Sequence, residues 1–359
     1  MRIDMNRMFV DDEIREAALE VIESGRYVKG PKAKEFEEAF SELVGGVESA
    51  SCSSGSAALM LAFGVLGIGA GDEVIVPSHT FVATVNGFWH YGARPVFADI
   101  DPRTFTVDPD RVEDAITDRT KAIVPVHLYG HPADMGRLLE ISEEHGVPIV
   151  GDAAQAHGSK YRGEDVGRMG LMTCYSFFPS KIVTVGGEGG MVTSKDPRFI
   201  EKVKAMRNHG REKGEKFVSS FPGFNMRLPE IGAAMGIVQL KHMKDWIDRR
   251  REIARVYSRE LEGVGDLMIP VEENWGYHTY YLYVIRTAGR DDLADHLRRM
   301  DISTGVHYPV PVHKMPFIGD SPDLPETEKA VSEILSLPMH PLLTAEEQKE
   351  VIEGVRSFF

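Results

Sequence analysis

The sequence predicts an α/β fold, with a mostly parallel β-sheet between layers of helices and a smaller α+β domain at the C-terminus. From residue 73 onward, short apolar β-branched segments alternate with amphipathic segments of helical length, which is typical of βαβ units. The 359 residues also exceed the usual size of one hydrophobic core. We therefore expect a large domain over residues 1–245 and a small domain over residues 246–359.

The elements follow in order along the chain. The charged N-terminal segment has the pattern of an amphipathic helix and not that of a signal peptide. Strands are predicted at "EVIVPS", "RPVFADI", "KAIVPVHLYG", "VPIVGDAAQ" and "GGMVTSKD". A helix is predicted over 197–210, an aperiodic loop over 211–225 and a long helix over 228–262 that links the two domains. The remainder contains the strand-like "YYLYVIRT" and a final amphipathic helix, "AEEQKEVIEGVRSFF".

Composition and charge exclude several classes of function. The net charge of −14 opposes binding to a phosphate backbone, so we expect no nucleic-acid partner. Apolar stretches all fall short of the roughly 20 residues that span a bilayer, which argues against membrane association. Cys52 and Cys174 lack the pattern of a disulfide framework or a metal site. We expect no bound metal and a reducing, cytoplasmic location.

Three features are candidates for chemistry. Asp152 ends a predicted strand, Lys181 precedes the glycine-rich loop "GGEGG", and Ser54-Gly55-Ser56 opens a predicted helix. Each has an ordinary structural explanation, since lysines are mostly exposed and Asp and Ser often cap helices. Taken together, they provide an amine, a carboxylate and a helix N-terminus suited to phosphate. Pyridoxal 5′-phosphate (PLP) requires these three groups, so the sequence predicts a PLP site.

The motifs that carry these residues also resemble a known family. The segments "SGRYVKGPKAKEFE", "SSGSAAL", "GDEVIVPSHTFVAT", "GDAAQAHGS", "SFFPSKIVTVGGEGGMV", "GFNMRLPEIGAA" and "GVHYPVPVH" occur in order over nearly the whole chain. They resemble the DegT/DnrJ/EryC1/StrS sugar aminotransferases, which are PLP enzymes of fold type I. The resemblance implies a seven-stranded sheet in the large domain.

The resemblance also implies a role for individual residues. Lys181 would form the Schiff base with PLP, and Asp152 would bind the pyridinium nitrogen. The other cofactor contacts would come from Gly55, Ser56 and Ser176 at the phosphate, Phe81 at the ring face, Gln155 at the ring hydroxyl, and Asn225 toward the neighbouring subunit's phosphate. The contact through Asn225 implies a homodimer with shared active sites.

The implied reaction has two halves. An amino acid, L-glutamate in most relatives, would leave its amino group on the cofactor as pyridoxamine 5′-phosphate, and a keto-sugar nucleotide would then receive it. His307, Tyr308 and Arg227 are candidate substrate contacts. This activity belongs to amino-sugar and polysaccharide biosynthesis.

Other interpretations remain open from the sequence. A PLP- or PMP-dependent sugar dehydratase of the same fold would carry His in place of Lys181, and a keto-cyclitol is an alternative acceptor. A catalytically inactive homologue acting as a regulator, or a nucleotide-binding oxidoreductase, would not need the full residue set. The chain departs from many relatives at Ser56, at Ile182 and at Tyr281, where those relatives carry Thr, a polar residue and His.

Overall fold

The structure is a computed structural model that describes residues 2–319 and 322–359. The helices of the described residues are α1 (Asp12–Ser24), α2 (Pro31–Leu43), α3 (Gly55–Leu66), α4 (Ala83–Trp89), α5 (Pro109–Asp114), α6 (Met135–His145), α7 (Pro197–Met206), α8 (Glu230–Leu261), α9 (Arg290–Arg299), α10 (Pro325–Glu333) and α11 (Ala345–Arg356). The strands are β1 (Glu48–Cys52), β2 (Glu73–Pro77), β3 (Arg94–Ala98), β4 (Thr120–Ile123), β5 (Val150–Asp152), β6 (Lys160–Tyr161), β7 (Glu164–Asp165), β8 (Met172–Ser176), β9 (Gly190–Ser194), β10 (Gly276–Tyr277), β11 (Tyr283–Arg286) and β12 (Ile334–Leu337).

The α/β fold is confirmed, but the expectation of one seven-stranded sheet is wrong. Four strands form one sheet in the order β1-β9-β8-β5, and three form another in the order β3-β2-β4. Isolated parallel bridges, Ile123 to Ile149 and Val126 to Asp152, connect the two sheets. Pro125 and Pro148 lie at this junction and have no N–H to donate, so a continuous hydrogen-bond ladder cannot form there.

Strand direction also differs within the four-stranded sheet. Strand β8 is parallel to β5, whereas β9 is antiparallel to both β8 and β1. The three-stranded sheet is parallel throughout. The sheets are therefore mostly parallel, and the carboxyl ends of β2, β5 and β8 form the edge where ligands of such folds bind.

Helix α3 begins where this edge meets β1 and β9. The Ser54 hydroxyl accepts a hydrogen bond from the Ala57 N–H at 3.1 Å, which fixes the helix start. A Cβ on Gly190 would lie 2.2 Å from the carbonyl oxygen of Ser54. Only glycine allows β9 to pass this close to the helix start, which explains the end of the "GGEGG" segment.

The C-terminal part is built on the long helix α8. Helices α1 and α2 pack on its N-terminal half, and α11 packs on it further along. Strands β11 and β12 form an antiparallel pair beside α9. The expected domain boundary at residue 245 falls within α8, and the division into two domains stays a prediction.

The expected loop at 211–225 consists of turns and irregular backbone in the structure. It ends at an isolated bridge between Asn225 and Asn208. Within the described residues, no helix combines the length and apolar character needed to cross a lipid bilayer.

Candidate active site

A cavity of about 350 Å³ opens at the carboxyl ends of the parallel strands. All but two of the predicted site residues line it, namely Gly55, Ser56, Phe81, Asp152, Gln155, Ser176, Lys181, His307 and Tyr308. The sequence separates these residues by up to 253 positions, 308 minus 55, and the fold brings them to one place. Their roles as ligand contacts stay predictions.

Lys181 follows β8 after a tight turn. Its backbone N–H donates to the Phe178 carbonyl at 2.8 Å, which closes the turn. Its side-chain nitrogen lies 4.8 Å from the centroid of the Tyr281 ring. The amine is therefore at the cavity wall, next to an aromatic face and within reach of the cavity interior.

Asp152 lines the same cavity from the end of β5. Backbone hydrogen bonds fix its position, because its N–H donates to Pro125 and its carbonyl accepts from His127, both at 2.9 Å. The carboxylate accepts hydrogen bonds from the Thr84 hydroxyl at 2.8 Å and the Ala154 N–H at 3.0 Å.

Burial dominates the electrostatics of this carboxyl group. It raises the pKa of Asp152 above the usual value, because a buried carboxylate loses its hydration. The hydrogen bonds from Ala154 and Thr84 and the positive charge of Lys181 act in the opposite direction. A cationic ligand group placed at Asp152 would offset the cost of burying the negative charge.

The start of α3 forms a second polar region of the cavity. Ser54 occupies the N–H groups of Ala57 and Ala58 with its hydroxyl and carbonyl oxygens. The N–H groups of Gly55 and Ser56 remain at a helix start, where a phosphate is favoured. A Cβ on Gly55 would lie 2.7 Å from the Cβ of Ser176, so this position has no room for a larger residue.

Gln155 bridges Tyr129 and Tyr308 at the cavity wall. Its side-chain oxygen accepts a hydrogen bond from the Tyr129 N–H at 2.8 Å, and its side-chain nitrogen donates to the Tyr308 hydroxyl at 2.8 Å. Phe81 packs on the Tyr308 ring with centroids 5.4 Å apart and an interplanar angle of 35°. Phe81 is 54% exposed and lines the cavity.

His307 lies beside Tyr308 at the cavity wall. One ring nitrogen is 2.9 Å from the Ser336 hydroxyl, and its carbonyl oxygen accepts a hydrogen bond from the buried Tyr129 hydroxyl. Burial lowers the pKa of His307, and the nearby Lys181 charge lowers it further. His307 is therefore suited to hydrogen bonding as a neutral ring.

Arg227 and Asn225 do not line this cavity. Arg227 donates to the Asn208 side chain at 2.8 Å and borders a separate cavity of about 260 Å³. The cationic residues of that second cavity are Lys29, Lys34, Lys204, Arg207 and Arg227. Asn225 is exposed. The proposed contacts of Asn225 and Arg227 with a ligand therefore stay predictions.

Three polar residues of the site received no role from the sequence. Thr84 binds the Asp152 carboxylate, Glu188 lines the cavity from the glycine-rich loop, and Tyr281 faces the Lys181 amine. Thr84 occurs in "SHTFVAT", three positions after Phe81, so the helical spacing of that segment was an available clue. Nothing in the local sequence connects Tyr281 to Lys181, because 100 positions separate them.

A group of possible metal ligands lies elsewhere. Among the described residues, ligand atoms of Glu113, Glu144 and His145 lie within 4.8 Å of one another. Glu113 already pairs with Arg137 at 2.6 Å, and none of these residues lines the first cavity. The expectation of no bound metal stays a prediction.

Comparisons with known proteins show the family. Residues 9–356 match the model of the DegT/DnrJ/EryC1/StrS aminotransferase family. The chain is 41% identical over 346 residues to a dTDP-3-amino-3,4,6-trideoxy-alpha-D-glucose transaminase of Streptomyces venezuelae, covering 95% of this chain and 91% of that protein.

Solved structures give the same result. The crystal structure of S. venezuelae DesV in complex with a ketimine intermediate superposes with a TM-score of 0.96 at 39% identity, covering 99% of this chain and 98% of that one. The PLP form of the sugar aminotransferase Spr1654 from Streptococcus pneumoniae, described there as putative, superposes with a TM-score of 0.94 at 28% identity, covering 99% and 98%.

Proposed function

Because the chain belongs to the DegT/DnrJ/EryC1/StrS aminotransferase family, we propose that it transfers an amino group from L-glutamate to a keto-sugar nucleotide at the cavity that contains Lys181 and Asp152. The observation that carries the proposal is that one amine and one buried carboxylate line the same cavity. The chain is an aminotransferase, and the identity of donor and acceptor is the proposed part.

The residues present fit PLP. Within the described residues, the Asp152 carboxylate accepts hydrogen bonds on both oxygens but contacts no cationic side chain. A buried carboxylate in this state suits a protonated ring nitrogen. The helix start at Gly55 and Ser56 suits a phosphate.

Each part of the cavity would hold one part of the cofactor. The contacts would be Lys181 at the aldehyde carbon, Asp152 at the ring nitrogen, Gln155 at the ring hydroxyl, Phe81 at the ring face, and Gly55, Ser56 and Ser176 at the phosphate. When bound, PLP supplies an electron sink for the charge left on the amino carbon after deprotonation.

The chain's own residues then manage the proton. The Lys181 amine, once free, can accept a proton at its side-chain nitrogen and return it at a neighbouring carbon. Burial raises the pKa of Asp152, and the hydrogen bonds from Ala154 and Thr84 act against this rise and favour the ionised form next to the ring nitrogen. Gln155 and the aromatic pair of Phe81 and Tyr308 restrict where a substrate can approach.

Two observations support the proposed acceptor, namely the named activity of a relative and the polar side chains at the cavity wall. The S. venezuelae relative is named as a dTDP-amino-sugar transaminase, and polar groups suited to sugar hydroxyls occur at His307 and Tyr308. The Lys at position 181 favours amino transfer over the dehydratase alternative, whose members carry His there. A keto-cyclitol acceptor would lack the diphosphate. Activity with a cyclitol in place of a nucleotide sugar would therefore distinguish the two possible acceptors.

The charges of the residues that line the cavity support a contribution from a second copy of the chain. Among its lining residues within the described chain, Lys181 is the single Lys or Arg, whereas Asp152 and Glu188 are acidic. A nucleotide diphosphate and a dicarboxylic donor both need further cations. We therefore propose a homodimer in which Asn225 and Arg227 of one copy reach the cavity of the other.

We also propose a cytoplasmic location, which suits the two free, buried cysteines.

A cofactor experiment tests the proposal first. PLP should give the purified protein a visible absorbance band, and borohydride should fix the cofactor to the peptide that contains Lys181. Lys195, an exposed lysine paired with Glu164, is the control and should stay unmodified. A protein that gains neither colour nor mass with PLP would contradict the proposed chemistry.

A substrate panel tests the acceptor. Keto-sugar nucleotides on UDP, GDP and dTDP, together with a keto-cyclitol, should be incubated with glutamate, and the 2-oxoglutarate formed should be measured. We expect turnover with at least one nucleotide sugar and less with the cyclitol. Turnover with the cyclitol alone would replace the proposed acceptor.

A mixing experiment tests the shared site. A Lys181→Ala chain and an Asn225→Ala chain should each be weakly active, and a mixed dimer should regain activity because one of its two sites is intact. Restored activity supports the homodimer. Activity of the mixture no greater than the sum of the two separate variants contradicts it.

A further inference from the structure

We infer that Tyr281 is a positioning residue for Lys181, whose protonated amine its ring holds at the cavity wall whenever the amine is free. The inference rests on the proposed function, in which Lys181 must repeatedly be released and then return. It assigns a role to a position where this chain carries Tyr and many relatives carry His.

The contact has the geometry of a cation–π interaction. The Lys181 side-chain nitrogen is 4.8 Å from the Tyr281 ring centroid, inside the ~6 Å over which an ammonium is attracted to a ring face. Tyr281 is 6% exposed, so little water competes with the ring for the charge. Burial strengthens such contacts relative to exposed ones.

Tyr281 is held through both its hydroxyl and its backbone carbonyl. Its hydroxyl lies 3.0 Å from the hydroxyl of Ser180, the residue directly before Lys181. Its backbone carbonyl accepts a hydrogen bond at 3.1 Å from Arg250, which is fully buried in α8. The Ser180 carbonyl in turn accepts a hydrogen bond from the Asn6 side chain at 3.2 Å. Ring and lysine turn are therefore held together as one unit.

Besides the Tyr281 ring, several charged or titratable groups lie near the Lys181 amine. The charges of Asp152 and Lys181 attract each other. Burial lowers the pKa of His157 to about 3 and also lowers the pKa of His307, so both rings are neutral near pH 7. Glu188 lines the outer part of the cavity, and the buried hydroxyl of Tyr308 has a raised pKa. These groups add no positive charge that would repel the ammonium.

A second lysine–tyrosine pair provides a matched control. The Lys160 nitrogen lies 5.9 Å from the Tyr277 ring centroid, outside the cavity, and Lys160 is exposed. This pair has the same chemistry with a longer distance and more water. We expect its effect on amine reactivity to be small.

Amine acylation of the full-length chain tests the inference. The chain is freed of cofactor with hydroxylamine and treated with an acetyl N-hydroxysuccinimide ester, which reacts only with unprotonated amines, from neutral to alkaline pH. Mass spectrometry follows Lys181 and, in the same digest, Lys160. The variants are Tyr281→Met, which removes the ring at similar volume, Tyr281→Phe, which keeps it, and Tyr277→Met as the control.

We expect Tyr281→Met to raise the Lys181 labelling rate at neutral pH by ~3- to 10-fold, while Tyr281→Phe stays within about twofold of the parent. Lys160 labelling should be unchanged in both, and Tyr277→Met should leave Lys181 unchanged. An unchanged Lys181 rate in Tyr281→Met, or an equal rise in Tyr281→Phe, overturns the inference.

Two further measurements keep the outcome decisive. If Tyr281→Met does not fold, phenylalanines with increasing fluorination at position 281 preserve the ring shape while weakening its negative face. Labelling should then rise with each fluorine, and a flat series overturns the inference. A parent chain that transaminates, combined with a flat series, refutes the role of Tyr281 alone. A parent that does not bind PLP, combined with a rising series, refutes the proposed function alone.

Discussion

The inner and outer parts of the cavity are built differently. At the inner part, Asp152 and Ser176 end strands and are 5% and 8% exposed, and Gly55 begins a helix. At the outer part, His307 and Tyr308 are partly buried and Glu188 lies on an exposed loop. Backbone hydrogen bonds of the sheet therefore fix the groups assigned to the cofactor. The groups assigned to the substrate depend on side-chain contacts and, as proposed, on a second copy.

This difference teaches which substitutions act on chemistry and which act on recognition. A change at the inner part should alter cofactor binding or turnover, because no neighbouring residue can replace a group fixed at a strand end. A change at the outer part should alter the KM of one substrate. The predictions below test this division, beginning with the largest expected effect.

The largest effect is expected for Lys181→Ala. Turnover should fall by ~10³-fold or more, because the proton at the substrate carbon loses its acceptor. Pyridoxamine 5′-phosphate should still bind, since Gly55, Ser176 and Asp152 are unchanged. Steady-state kinetics and calorimetric titration measure the two effects.

Lys195→Ala is the control for this variant, because it removes an exposed lysine outside the cavity. It should retain parental turnover. If Lys181→Ala keeps parental turnover as well, then the inner part does not carry the chemistry and the comparison between the two parts fails.

The inner part is also the part that the sequence predicted best. Asp152 ends a strand and Gly55 begins a helix, and local patterns reveal both positions. Lys181 follows the end of β8 by five positions, after a tight turn. Their meeting at one cavity follows from the parallel order of the strands. The exception was the sheet itself, where Pro125 and Pro148 interrupt the ladder between β4 and β5 in a way that hydrophobic patterns do not reveal.

The outer part was harder to predict because its contacts join distant segments. Tyr281 reaches Lys181 across 100 positions, and Gln155 binds the Tyr308 hydroxyl across 153. Such pairs depend on how α8 and the C-terminal strands pack on the sheet. Arg227 shows the same limit, since it was predicted as a substrate contact and lies at a different cavity of its own chain.

An intermediate effect is expected for Thr84→Val. The Asp152 carboxylate would lose the hydrogen bond from Thr84, so we expect PLP affinity to fall by ~10-fold. The acid limb of cofactor binding should also move to higher pH. Burial already raises the pKa of Asp152, and the Thr84 hydrogen bond lowers it. Without that bond, the carboxylate is lost at a higher pH as the pH falls.

Fluorescence titration of PLP across pH measures both effects. Thr84→Ser keeps a hydroxyl and should restore the parental profile. Thr106→Val is the matched control, because Thr106 is a buried threonine paired with Thr104 and does not line the cavity. An unshifted acid limb in Thr84→Val would show that this hydrogen bond does not support the Asp152 charge.

The smallest effect is expected for Tyr308→Phe, which changes the outer part alone. The Gln155 side-chain nitrogen would lose its acceptor at 2.8 Å, and the sugar would lose a hydroxyl contact. A single neutral hydrogen bond contributes about 1 kcal/mol, so we expect the KM of the acceptor to rise by ~5-fold. The packing of Phe81 on the ring is retained, so PLP affinity and the KM of glutamate should stay within about twofold. Separate half-reaction kinetics for donor and acceptor distinguish these outcomes. Equal changes in both half-reactions would mean that Tyr308 acts through the cofactor, and the boundary between the two parts would then lie further out than Tyr308.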